Sequence, residues 1–175
     1  MCIDQEHADG ARGFSLAEAL VAVVLLGFLA SLAWPTASAV QRRMQLDDGL
    51  RRLRLGLDRG RMAAERDRQA CALQLGPTGW QPPLSSHLPG CRGGLVPLAE
   101  SGAGELELRS NLPDAVRFST NGLVLDGGLV VLFHPSHAQA LCLVIGLPLG
   151  ISRSGFYQGD LHSSLSSTHC QPSDA

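Results

Sequence analysis

Gly13-Phe14-Ser15-Leu16-Ala17-Glu18 opens an apolar run that continues to Trp34, with Glu18 as its one charged side chain. As a helix rising 1.5 Å per residue, Phe14–Trp34 reaches about 30 Å, the thickness of a bilayer's hydrocarbon layer. Glu18 therefore stands where lipid is expected. A carboxylate held deep in a membrane costs about 2.5–3.5 kcal/mol on insertion scales and calls for a named partner. The nearest source of a cation is another copy of the same chain.

The residues on either side separate three readings of this run. A secretory signal needs a basic start, a short apolar core and a small-x-small cleavage site. Ala37-Ser38-Ala39 supplies the last, but Asp4, Glu6 and Asp9 outnumber Arg12 ahead of the run, which is also too long and is interrupted by Glu18. A plain anchor would leave Glu18 among headgroups in the first helical turn, where a negative charge suits the helix dipole. That accounts for the span and not for the Gly-Phe junction.

Gly13-Phe14-Ser15-Leu16-Ala17-Glu18 resembles the processing site of type IV prepilins and pseudopilins. The resemblance implies cleavage by a prepilin peptidase between Gly13 and Phe14 and N-methylation of the new terminus. Glu18 becomes the fifth residue of the mature chain, and Pro35 falls where the family often kinks its helix, consistent with the backbone donor that proline removes. Cleavage frees an amine on Phe14 one turn from Glu18. In a staggered stack of helices, the amine of one subunit meets the carboxylate of the next. Removing one member of such a buried pair typically costs about 3–5 kcal/mol, enough to set axial register. The implied partners are other pilin or pseudopilin subunits, the peptidase, an inner-membrane assembly platform and membrane lipid.

The leader departs from the family in being acidic, and Arg12 before the span against Arg42 and Arg43 after it opposes the positive-inside rule. The cysteines point the other way. Cys71, Cys91, Cys142 and Cys170 form an even set beyond the span, the pattern of an oxidising compartment and two disulfides. Three connectivities are open; Cys71 with Cys91 and Cys142 with Cys170 close the smaller loops. The C-terminal part is accordingly expected in the periplasm.

At 175 residues the chain has room for one domain besides the anchor. Leu46, Leu50, Leu53 and Leu57 recur at intervals of four, three and four, and predict an amphipathic helix to about residue 70. Gly49, Gly56 and Gly60 weaken it by about 1 kcal/mol each relative to alanine. Asp47 with Arg51, Asp48 with Arg52, and Arg61 with Glu65 are spaced for ion pairs. From Cys71 onward, aliphatic runs alternate with turn signals and predict antiparallel hairpins. Expected strands are 72–75, 105–109, 116–118, 123–125, 129–133 and 141–145, with an irregular proline-rich loop over 77–97. The organisation is a leader (1–13), a transmembrane helix (14–34), its amphipathic continuation (35–70), a β-rich periplasmic domain (71–157) and a solvated, mobile serine-rich tail (158–175). The expected class is α+β: a long N-terminal helix on a small antiparallel sheet, as in pilins. Gly79-Trp80 and Val116-Arg117-Phe118-Ser119-Thr120-Asn121-Gly122 resemble the GspH/FimT group of minor pilins.

Other chemistry is sparse. His134 and His137 beside Cys142 lack the four placed donors that zinc needs, so no metal or other cofactor is expected. The serines of 163–167 carry no nucleophile elbow or phosphate loop, so no catalytic residue is assigned. Some FimT-like pilins bind DNA through Gly-Arg-x-Arg. Gly150-Ile151-Ser152-Arg153 keeps only Arg153, and the net charge is −2, although nine arginines fall between Arg42 and Arg68. Phosphate binding depends on accumulated positive charge, which speaks against a nucleic-acid partner. The expected function is a minor pilin or pseudopilin of a type IV pilus or a type II secretion system. A DNA-binding minor pilin and a single-span envelope protein with a β-rich binding domain are the alternatives.

Overall fold

The computed structural model describes residues 15–99 and 106–172, with the side chains of 32–37 outside the description. A helix, α1 (Leu16–Asp67), precedes strands β1 (Cys71–Gly76), β2 (Gly79–Gln81), β3 (Glu107–Ser110), β4 (Val116–Phe118), β5 (Gly128–Phe133), β6 (Ala140–Ile145), β7 (Ser152–Tyr157) and β8 (Cys170–Pro172). Internal contacts divide the chain into two units, Met1–Ser38 and Ala39–Ala175. The architecture is α+β and pilin-like, a long N-terminal helix whose second half packs on antiparallel sheets.

Within the larger unit the strands form two sheets, ordered β2-β1-β4 and β3-β5-β6-β7-β8, with every neighbouring pair antiparallel. The leucine stripe of α1 is the keel of the main core: Leu46, Leu53 and Leu57 are at most 1% exposed and Leu50 is 8%. They meet Leu73, Trp80, Val116 and Phe118 from the small sheet and Val130, Leu132, Leu141 and Leu143 from the large one. The glycines interleaved with the leucines are contact points. A Cβ on Gly49 would lie 2.8 Å from Leu132, one on Gly60 2.8 Å from Leu73, and one on Gly56 inside the Trp80 indole. Their cost in helix propensity is offset by close approach of the sheets, a signal visible in sequence as glycines on the leucine face. Asp48 and Arg52 form the expected pair, at 2.7 Å.

The helix stops at Asp67, short of residue 70. Arg68 turns left-handed, at φ 47°, and the amides of Arg68 and Gln69 bond back to the carbonyls of Glu65 and Ala64. This is the Schellman pattern that satisfies the last carbonyls, with arginine where glycine is usual. The loop 77–97 is less irregular than expected, because it contains β2 and the buried Trp80. Residues 123–125 do not form a strand of their own. Val124 makes a single bridge to Phe118, and β4 pairs with β1 instead.

The largest difference concerns the C-terminal segment, expected to be mobile. Strand β5 reads Gly-Leu-Val-Val-Leu-Phe and β6 reads Ala-Leu-Cys-Leu-Val-Ile, continuous apolar runs that bury both faces rather than one. One face holds the helix. The other carries Leu129, Val131, Cys142 and Tyr157, against which Leu161 and Leu165 pack. The segment is fastened by Asn111 Nδ2 to the Leu165 carbonyl (3.4 Å), by Gln158 N to the His169 carbonyl (2.9 Å), and by pairing of β8 with β7. Ser166 caps the short 3-10 turn that precedes β8. The serines occupy the covering strap, where their hydroxyls bond turns, and apolar burial falls to the two leucines.

Candidate functional site

The smaller unit carries the candidate assembly site. Ser15 begins α1 as a cap: its hydroxyl accepts the Ala17 amide at 3.2 Å, and its carbonyl accepts that of Ala19 at 3.1 Å. Glu18 occupies the first turn and is exposed. The aliphatic side chains that follow are exposed as well; Leu20, Val24, Leu26 and Phe28 keep between 58 and 70% of their surface. An isolated soluble helix does not leave such a surface uncovered, because each buried CH₂ contributes about 0.8 kcal/mol. Gly27 has open space around it. Gly13 and Phe14 lie outside the described residues, as does the side chain of Pro35, whose backbone continues within α1. Among the described residues no helix is long and apolar enough to cross a membrane. Of the run Phe14–Trp34, Phe14 and the side chains of 32–34 lie outside the described residues.

In the larger unit, disulfides join Cys71 to Cys91 and Cys142 to Cys170. The first ties the start of β1 to the loop after β2, inside the main core. The second crosses β7: Cys142 is the register partner of Gly155, and Cys170 that of Tyr157. At Gly155 a Cβ would collide with the Gln171 carbonyl, so glycine lets β8 lie close against β7 beneath the bridge. The sequence offered the cysteine count but gave no hint that a glycine was needed between them.

Arg117 and Asp126 form the best-built ion pair of this unit. Asp126 accepts from Arg117 Nε at 2.8 Å, from its Nη2 at 2.9 Å and from its backbone amide at 2.9 Å. These hydrogen bonds hold the Asp126 carboxyl below its ordinary range, chiefly through the guanidinium. The pair fastens β4 to the residue two before β5. No spacing rule in the sequence reveals it, since the partners are nine residues apart across a turn.

The histidines do not converge. The imidazole Nδ1 of buried His134 accepts the Ser136 amide at 3.0 Å, and Cys142 is committed to Cys170. Among the described residues, no group of three or more His, Cys, Asp or Glu side chains is placed to hold a metal. Arg153 is exposed on β7, where its Nη2 donates to the Ser167 carbonyl at 3.2 Å. It serves the C-terminal strap.

Residues 9–34 match the family model of the prokaryotic N-terminal methylation motif, which is typical of type IV pilin-like proteins. That class is structural, and its members assemble with other pilin subunits after processing by the prepilin peptidase. No curated protein and no solved structure matches the chain.

Proposed function

We propose that this protein is a minor pilin or pseudopilin of the GspH/FimT type, a subunit that enters or primes a type IV pilus or a type II secretion pseudopilus. The observation that carries the reading is the methylation motif over residues 9–34, registered on a capped helix whose first turn presents Glu18 and whose aliphatic surface stands uncovered. In this reading residues 1–13 are the leader and 14–34 the membrane span, and the unit from Ala39 onward faces the periplasm. Cleavage between Gly13 and Phe14 creates the amine that pairs with Glu18 of an adjacent subunit, and Pro35 lies where the helix leaves the bilayer. Extraction into the filament exchanges lipid for neighbouring helices around the same apolar side chains, so burial is retained throughout.

The test is the intact mass of the membrane-extracted protein from cells with and without the prepilin peptidase. The expected product begins at Phe14, carries one added methyl group and contains both disulfides. A product that retains Met1, or one that begins at Val40 after signal-peptidase cleavage, overturns the reading.

A further inference from the structure

A second stripe with alternating three- and four-residue spacing runs along the outer side of α1: Arg52, Leu55, Arg59, Met62 and Arg66. It places two aliphatic side chains in water, Leu55 at 40% and Met62 at 57% exposure, on a helix whose inner face is almost completely covered. Beside it lies the segment 93–97, which contributes Leu95, 48% exposed. Between helix and segment are two recesses, of about 380 and 520 Å³, that share Arg59.

The far wall of this groove is pinned. Gly94 N donates to the Cys91 carbonyl at 3.2 Å, Trp80 N to the Val96 carbonyl at 3.0 Å, and Leu98 N to the Thr78 carbonyl at 2.8 Å. Cys91 is itself held by Cys71. A preformed groove has little ordering entropy left to lose when it is filled. Its charge is one-sided. Asp48 is taken up by Arg52 and Asp67 by Arg66, while Arg59, at the junction of the two recesses, makes no side-chain ion pair or hydrogen bond among the described residues.

We propose that this groove is a docking site for an acidic amphipathic helix of a partner protein. Carboxylates of the partner meet Arg59 and the flanking arginines, and its aliphatic side chains cover Leu55, Met62 and Leu95. Three features select that occupant. The positive charge requires an anion. The interleaved aliphatic residues require an apolar surface, which a phosphodiester chain lacks. The three-four spacing over roughly 21 Å matches the knobs of a second helix rather than a strand. This inference goes beyond the pilin reading and does not rest on it, since it concerns only the unit that begins at Ala39.

The test uses the full chain in neutral detergent micelles and a fluorescent three-heptad peptide with leucine at the seam and glutamate flanking it, followed by anisotropy. The glutamate peptide is expected to bind, and about 0.5 M salt to weaken it several-fold. Arg59→Glu and Met62→Ser are each expected to weaken it about tenfold or more, with Arg109→Glu on β3 as an unaffected control. Near-UV circular dichroism of each variant verifies that Trp80 keeps its packing. The proposal is overturned if the peptide does not bind, if a lysine version binds as well, or if Arg59→Glu leaves binding unchanged. It is also overturned if duplex DNA or anionic lipid vesicles bind with the same dependence on Arg59, which would make the groove a phosphate site.

Discussion

Gly56→Ala is the sharpest test of how α1 is seated. Alanine in place of glycine within a helix ordinarily stabilises by about 1 kcal/mol. Here the added methyl would lie 2.6 Å from Trp80 Nε1 and 2.8 Å from its Cγ, closer than packed carbon and nitrogen atoms allow. Trp80 has little room to yield, since it is 3% exposed and its indole donates to the Leu53 carbonyl at 2.7 Å. Overpacking of this kind typically costs about 1–3 kcal/mol. Displacing the ring also strands a buried donor, at about 1–3 kcal/mol. Subtracting the propensity gain leaves a net destabilisation of about 1–5 kcal/mol. The chain has two tryptophans, so urea unfolding in detergent is best followed by fluorescence in a Trp34→Phe background, where Trp80 is the sole reporter. A cycle with Trp80→Ala, read by far-UV circular dichroism, should recover at least about 1 kcal/mol of coupling. If Gly56→Ala is as stable as the parent, or more so, the close seating of helix on indole is wrong.

Cys170→Ser opens a loop whose ends are 28 residues apart in sequence, and should lower stability by about 3.5 kcal/mol on the chain-entropy scale. Amide exchange should accelerate in β8 while β1 stays protected; equal acceleration in both would contradict the separate packing of the strap on the outer face of the large sheet. Asp126→Asn should destabilise by about 1 kcal/mol through loss of the charge-assisted bonds to Arg117. Because the native carboxyl titrates below its unfolded value, the stability that Asp126 contributes is present above about pH 4 and is lost as pH falls through the lower native value. The variant should therefore converge with the parent in acid, and a constant difference between about pH 3 and 7 would argue against the pair. Glu18→Val should insert into membranes and be processed normally yet fail to enter filaments, as read by immunoblotting of sheared fractions; normal incorporation would remove Glu18 from the assembly step.

Much of this arrangement was legible in the residues. The stripe Leu46, Leu50, Leu53 and Leu57 announced which side of α1 would be covered, because helical periodicity is local. The runs 129–133 and 141–145 were recognisable as strands for the same reason. Partners distant in sequence were not legible. Gly56 meeting Trp80, Gly155 under the second disulfide, and Asp126 meeting Arg117 depend on how the sheets are stacked, and no local pattern encodes that. The fixed place of the C-terminal segment is not encoded by its serines but by the two-sided hydrophobicity of β5 and β6, which demands a cover from somewhere. For the candidate assembly site, the Gly-Phe junction and the role of Glu18 follow from the resemblance to prepilin processing sites; Glu18 falls in the first turn of α1, while Gly13 and Phe14 lie outside the described residues.

With one broad side of the five-stranded sheet under α1 and the other under the strap, only its rims remain for lateral growth, and both are blunted. β3 presents Glu107 and Arg109, charges that resist joining to a foreign strand. β8 is three residues long and finishes on Pro172, which has no amide hydrogen to offer. Both rims of the larger sheet are thus guarded against runaway strand-to-strand polymerisation, so this sheet resists growing through its edges.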